Sequence, residues 1–343
     1  KATTECLQCG ACAVEKVLKE VTEAPNIHIH LSTTVESVQR ENQQLNAKLN
    51  KGPRFIDPDK CTNCGLCYEK APEEGAVLRG YSRHNHPLYA LAPEAMAKHR
   101  DFFAKVCLEG AINPDAEAQT EHLKGSAMVV ATGFEPFDAN QKPTYRYNEH
   151  VNVITGLEME RIKRSQGMLV RPSDGQVPGK VAFIQCVGSR DERLGHLWCS
   201  RVCCPYALRS AQSAKHQSPE MEITVFYMDI QNVGKNFPTF YETCKNDFRF
   251  IRSIPVDIFG DENDRLTLRV FEEAEGTAEM ENFDLVVLSI GIMPNPDNPL
   301  LSEQLGIDLD RDGFLARKDP LNQTLTSQNG VFLAGTASGP NSI

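Results

Sequence analysis

A chain of 343 residues is longer than one domain usually holds, so two or three domains are expected. With 41% hydrophobic and 24% charged residues it has the make-up of a globular protein, and its net charge of −10 argues against nucleic acid as a partner. The longest apolar run, around residues 285–293, is too short for a membrane span, and no secretory pattern opens the chain.

Twelve cysteines are many for such a chain, and most are bunched. Thiols two residues apart in runs suit metal ligation, which implies a reducing, anaerobic cytoplasm. The first bunch is CLQCGAC, with Cys6, Cys9 and Cys12 at the spacing of a cluster triad. It runs on into a helix-like AVEKVLKEV. Its fourth ligand would come from Cys244, from upstream sequence or from a partner chain. The first residue is Lys1 rather than Met, which reads as a fragment.

Residues 26–32, NIHIHLS, alternate apolar and His and predict a half-exposed strand. His28 and His30 share one face of it and read as a solvated face rather than as ligands. From residue 51 to about 120 the chain turns rich in charge, proline and cysteine, the mark of an inserted module. Its core motif is CTNCGLCYEKAP, residues 61–72.

A bacterial ferredoxin motif reads C-x2-C-x2-C-x3-C-P, its fourth cysteine serving the other of two clusters. Here Cys61, Cys64 and Cys67 are present, while Ala71 replaces the fourth and Pro72 stays. Downstream, VCLEGAI keeps the last cysteine of a second motif, Cys107; counting back, the others are Phe103, Arg100 and Ala97. One cluster would use residues 71, 97, 100 and 103, all lost. The other would use Cys61, Cys64, Cys67 and Cys107, all kept. The pattern predicts one 4Fe–4S cluster with Cys107 as its remote ligand. A structural zinc site on the same four thiols is the rival.

Residues 126–136, SAMVVATGFEP, read as a strand ending in a tight glycine turn. The runs 181–185, 222–227 and 284–290 read as buried strands, the first two separated by a helix-like YALRSAQSAKHQ. That alternation predicts a βαβ domain with a parallel sheet. Residues 249–271 alternate like an antiparallel meander. GVFLAGTASGP, residues 330–340, repeats the logic of residues 126–136. A nucleotide-binding fold would carry its glycine loop after the 181–185 strand. Instead CVGSRDERLGHLWCSRVCC places Cys186, Cys199, Cys203 and Cys204 there. Adjacent cysteines pair poorly with each other, but both can face one metal centre.

The run FIQCVGSRDERLGHLWCSRVCCPYAL resembles the family of heterodisulfide reductase A subunits. So do VVATGFEPFDA, NVITGLEMERI, VRPSDG, TVFYMDI, DLVVLSIG, KDPLNQTLTS and GVFLAGTASGP, across essentially the whole chain. The resemblance implies an α/β fold: two thioredoxin-reductase-like, three-layer domains of nucleotide-binding type with an inserted α+β ferredoxin-like module. Residues 1–50 would be a partial FAD domain lacking its N-terminal βαβ, 51–120 the inserted module and 121–150 the FAD domain continued. Residues 151–320 would form a second Rossmann-like domain, and 321–343 would return to the FAD domain.

The resemblance also implies the chemistry. A 4Fe–4S cluster on the cysteines matching Cys186, Cys199, Cys203 and Cys204 takes the place of a pyridine nucleotide. Two clusters are expected, with a third at Cys6, Cys9 and Cys12. FAD would lie on two turns, Ala131-Thr132-Gly133 and Gly335-Thr336-Ala337. A family lysine near the flavin corresponds to Arg209, a cation suited to a reduced, anionic flavin. The family splits electron pairs between ferredoxin and a disulfide site on B- and C-like partner subunits. It is fed by a hydrogenase or formate dehydrogenase module and works in methanogenesis and related anaerobic metabolism. A homodimer within a larger complex is implied, cytoplasmic or attached to a membrane complex through partners.

No G-x-G-x-x-G occurs in the chain, whereas the family has one upstream for the FAD pyrophosphate. An iron–sulfur relay scaffold without its own flavin is therefore the alternative. An NAD(P)H-dependent disulfide reductase finds no glycine loop after the 181–185 strand.

Overall fold

A computed structural model describes residues 11–41, 44–81, 87–231, 237–272 and 276–341. It divides into two compact units, residues 11–128 and 129–341.

In the first unit, helix α1 (Ala11–Glu23) carries i,i+4 pairs Lys16–Glu20 and Lys19–Glu23 on its exposed side. Strands β1 (Thr33–Glu41) and β2 (Gln44–Lys51) form an antiparallel pair, with Val35 opposite Leu49. Along β2, Leu45, Ala47 and Leu49 are buried and their neighbours are not, the period-two signature of a half-buried strand. The chain then leaves this sheet for residues 52–118. That stretch holds helix α2 (Leu66–Glu69), hairpin strands β3 (Val77–Tyr81) and β4 (Pro87–Leu91), and helices α3 (Pro93–Lys98) and α4 (Arg100–Val106). Pro93 starts α3 at a position where a missing N–H costs nothing. Phe55, Val77, Leu91, Met96, Phe103 and Val106 build a core for these elements alone. Strand β5 (Gln119–Gly125) then returns to pair with β2, giving the order β1-β2-β5.

The NIHIHLS segment is not a strand: β1 begins only at Thr33. Ser32 has a left-handed backbone (φ 52°), and Ile29 and Leu31 stay exposed with no neighbouring strand to complete a ladder. Alternation without a partner in register does not hold a strand. His30 Nδ1 instead meets Glu121 Oε2 at 3.1 Å.

The second unit contains β6 (Met128–Val130), β7 (Glu135–Pro136), β8 (Val153–Thr155), helix α5 (Gly156–Gln166) and β9 (Lys180–Val187). Helix α6 (Cys203–Gln217), β10 (Glu222–Phe226), α7 (Phe237–Asp247) and β11 (Arg249–Ile251) follow. The last elements are β12 (Asp257–Gly260), β13 (Leu266–Glu272), β14 (Thr277–Phe283), β15 (Leu285–Ile290), β16 (Ile292–Met293), α8 (Asn298–Leu305) and β17 (Val331–Leu333). Helix α5 starts on a full capping box between Thr155 and Glu158 and stops at Gly167 in the left-handed region.

Five strands make a parallel sheet in the order β11-β10-β9-β15-β8. Val181 and Phe183 of β9 point into a core shared with α5, α6 and α7. Ala182 and Ile184 point the other way, into a core closed by Ile258, Leu266, Leu268 and Phe283 of an antiparallel β12-β13-β14 meander. The result is three layers: helices, parallel sheet, meander. The meander begins at Asp257 rather than Arg249. Residues 249–251 extend the parallel sheet instead, because Val225 and Phe226 of β10 would otherwise present an open, buried edge.

Candidate functional site

The first cysteine group lies within residues 52–118. Asp57 N–H donates to Ala111 O at 2.8 Å and Asn113 N–H to Phe55 O at 2.8 Å, closing the ends of this stretch against each other. Cys61, Cys64 and Cys67 follow one end and Cys107 precedes the other. All four line a cavity of about 320 Å³ with Ile56, Leu66, Tyr89, Leu108 and Ile112. The glycine inside the motif is required. Gly65 has φ 82°, and a Cβ there would sit 2.6 Å from Tyr89 Oη. The Ala111 amide donates to Cys107 Sγ at 3.4 Å. Burial raises the Cys67 thiol above its ordinary pKa, and Cys61 and Cys107 add to the rise. Phe103, at one of the four positions that lost their cysteine, is fully buried in the core. Arg100, at another, pairs with Asp115.

The second group sits at the carboxyl end of the parallel sheet. Cys186 lies in β9 with φ 60°, a strained conformation for a side-chain-bearing residue. Gly188 follows at φ 82°, pressed so close to Phe137 that a Cβ would fall 2.1 Å from its ring. The loop to α6 is stapled down. His196 Nδ1 contacts Gly188 O at 2.9 Å, Trp198 Nε1 donates to Ile292 O at 2.9 Å, and Ile292 N–H donates to buried Ser200 Oγ at 2.8 Å. That fixes Cys199 between Trp198 and Ser200, where its sulfur accepts the Arg201 N–H at 3.3 Å. Cys203 and Cys204, both buried, open α6.

These four thiols feel one another. The Cys203 thiol hydrogen-bonds with Cys186 and Cys204, which holds it well above the ordinary thiol range. The same contacts lower Cys186 and Cys204, against the opposing pull of burial. Burial raises Cys199, and the sulfurs of Cys186 and Cys204 raise it further. The Arg190 guanidinium favours the thiolate forms of Cys186, Cys199 and Cys204. Two hydrogen bonds tie it to Asp229, one of them Nη2 to Oδ2 at 3.0 Å. Gln231 Nε2 donates to Asp229 Oδ1 at 2.9 Å, and the Gln231 backbone N–H reaches Cys204.

Among the described residues, no three His, Cys, Asp or Glu side chains converge as a single ion would require. Two buried polar side chains beside Cys186 lack partners among the described residues. Gln185, 1% exposed, has no hydrogen-bond partner for either end of its carboxamide among the described residues, nor has the buried Ser189 hydroxyl. Buried polar groups normally find partners.

The two turns expected at a flavin lie together. Ala334 N–H donates to Val130 O at 2.9 Å, which sets β6 beside β17. Ala131, Thr132 and Gly133 leave the one strand; Gly335, Thr336 and Ala337 begin a helical turn after the other. Asn295 Nδ2 donates to Thr132 O at 3.2 Å, and Arg317 clamps Ser338 through Nε at 3.2 Å and Nη2 at 3.1 Å.

Arg209 projects from α6 over the Tyr206 ring, 5.7 Å from its centroid. Cys244 is fully buried between α6 and α7, its thiol raised to about 12 by burial and then by Asp247. It is packed in the core between these helices. Cys6 and Cys9 lie outside the described residues, as does the side chain of Cys12. Sequence reasoning missed Gln185, Arg190 and Asp229. The available signal was position: Asp229 follows β10, next to β9 in the sheet, so its neighbour across the sheet end is the loop after Cys186.

No family model matches the chain. It is 34% identical over 359 residues to the A subunit of H(2):CoB-CoM heterodisulfide,ferredoxin reductase from Methanothermobacter thermautotrophicus, an alignment covering 98% of this chain and 54% of that protein. It is 35% identical over 354 residues to the iron-sulfur A subunit of CoB--CoM heterodisulfide reductase from Methanocaldococcus jannaschii, with the same coverage. Against the A subunit of H(2)/formate:CoB-CoM heterodisulfide,ferredoxin reductase from Methanococcus maripaludis it is 35% identical over 339 residues, 93% of this chain and 51% of that one. A solved T. acidophilum thioredoxin reductase aligns with a TM-score of 0.41 and 14% identity, over 66% of this chain and 62% of that one, too distant to carry an argument. The chain spans about half the length of the curated relatives it matches. Over that span, it belongs to the family of heterodisulfide reductase A subunits.

Proposed function

We propose that this chain is the flavin- and iron–sulfur-bearing part of the A subunit in a heterodisulfide-reductase-like complex, an oxidoreductase that splits electron pairs. One observation carries the reading. Four mutually interacting thiols stand at the carboxyl end of a parallel sheet, where an open α/β fold binds its ligand. Residues 151–320 are then a nucleotide-type domain whose ligand is a 4Fe–4S cluster on Cys186, Cys199, Cys203 and Cys204. Residues 51–120 are a ferredoxin-like module holding a second cluster on Cys61, Cys64, Cys67 and Cys107 in the 320 Å³ cavity. A third cluster is proposed on Cys6, Cys9 and Cys12.

FAD would be held in part by the paired turns, residues 131–133 and 335–337, which offer backbone groups beside small side chains. When bound, FAD supplies the exchange between a two-electron donor and one-electron carriers, and the clusters supply one-electron conduction. The chain's own residues set the terms. Arg190 offsets negative charge at the Cys186 centre, Asp229 holds that arginine in place, and the stapled 188–200 loop positions Cys199. Arg209 lies on the same helix as two cluster ligands and serves as a cation toward the flavin.

The proposed partners are B- and C-like subunits, a hydrogenase or formate dehydrogenase module and ferredoxin, with a second copy of the chain in the assembly. Ferredoxin, hydrogen and formate occur in relatives' names. No described helix is long and apolar enough to cross a membrane. Anaerobic purification followed by flavin, iron and sulfide analysis tests the reading. FAD with about eight irons and matching sulfide per chain is expected. Iron without flavin would make the chain a relay scaffold, and zinc without sulfide would overturn both.

A further inference from the structure

Among the described residues with buried, unpartnered polar atoms, Gln185 leaves both ends of its carboxamide unsatisfied. It stands one position before Cys186, it is 1% exposed, and neither its amide nitrogen nor its amide oxygen has a partner among the described residues. Burying a carboxamide with nothing to bond strips it of water and returns nothing.

The alternation of β9 holds as far as Ile184 and breaks at Cys186, whose φ is 60°. Val181 and Phe183 face the helix-side core, which also contains Cys203 and Cys204; Ala182 and Ile184 face the meander. Gln185 is the last position before that break, and the alternation running up to it, opposite to Ile184, assigns its side chain to the helix side, at the end of the strand where α6 begins with Cys203. A second feature agrees. Cys199 and Cys204 each accept a backbone N–H, from Arg201 at 3.3 Å and from Gln231, while no described hydrogen bond brings an N–H from the protein's deep side.

We infer that the Gln185 carboxamide donates a hydrogen bond to a sulfur of the iron–sulfur centre on Cys186, Cys199, Cys203 and Cys204 and so raises that centre's reduction potential. A donor to cluster sulfur stabilises the more negative, reduced state, which is how protein hydrogen bonds tune such centres. Gln185 is a positioning and tuning residue that ligates nothing. The inference rests on the proposed occupancy of this site.

The test is an anaerobic redox titration of the Cys186 centre by electron paramagnetic resonance in the full, cluster-loaded protein. Wild type is compared with Gln185→Met, which keeps the length of the side chain, and Gln185→Leu, which keeps it branched. Neither can donate. Both variants are expected to retain iron and sulfide at the wild-type level and to titrate at a more negative potential. An unchanged potential at unchanged iron content overturns the inference, and would mean that a buried water satisfies the amide. If Cys199→Ala loses no iron, wild type has no cluster here, which is failure of the proposed function and not of Gln185 alone.

Discussion

Arg190 and Asp229 show how one ion pair would serve the proposed redox centre. A lone guanidinium beside buried thiolates would be a mobile, costly charge; bonded twice to Asp229, it is held in one place. Arg190→Gln should therefore lower the potential of the Cys186 centre, read by the same titration, whereas Asp229→Asn should raise it by freeing the full positive charge. Opposite signs are the expected result. At Gly188 the backbone and the neighbouring ring both forbid a side chain. Gly188→Ala should cost about 2–4 kcal/mol, combining left-handed strain with overpacking against Phe137, and urea melts will measure it. Cys244 shows the other fate of a thiol. Raised from 9.0 to about 12, it stays protonated and favours the folded state below pH 9, a contribution that is lost as pH rises toward 12. At pH 8 it should resist iodoacetamide in the folded chain and react once urea unfolds it, as peptide mass spectrometry will report.

Elements, rather than residues, decide what the 52–118 stretch can hold. Its helices α3 and α4 close on Phe103 and Met96, so protein fills the ground where a second cluster would have needed thiols. Phe103→Ala should destabilise this stretch by about 3–5 kcal/mol, seen as an early transition in thermal melts. Much of this was legible in the chain: CTNCGLC and VCLEGAI, forty residues apart, name four thiols that do line one cavity. The parallel strands were legible too, since runs such as VAFIQ and DLVVLSI are apolar on both faces. The NIHIHLS segment was not, because alternation reports a face and says nothing of whether a neighbour exists to pair with it. The short strand at 153–155 escaped notice, and 249–251 was assigned to the meander rather than to the parallel sheet, for a related reason. Three residues carry no period, and only the sheet they join makes them strands.

For the whole molecule, the site was half visible. Cysteine spacing marks the proposed ligands because few other residues carry thiolate chemistry, but the groups that surround them are ordinary. Gln185 looks like any strand residue, and Arg190 and Asp229 stand 39 positions apart. Only the fold brings them to one sheet end. The central claim is that two separate thiol sets on this chain each hold a four-iron cluster. Iron and acid-labile sulfide should be counted per chain in anaerobically purified wild type, in Cys64→Ser and in Cys199→Ala. Each variant should lose about four irons with matching sulfide while keeping the other centre's paramagnetic signal. Variants that keep wild-type iron, or a wild type that holds zinc and no sulfide, would contradict that claim.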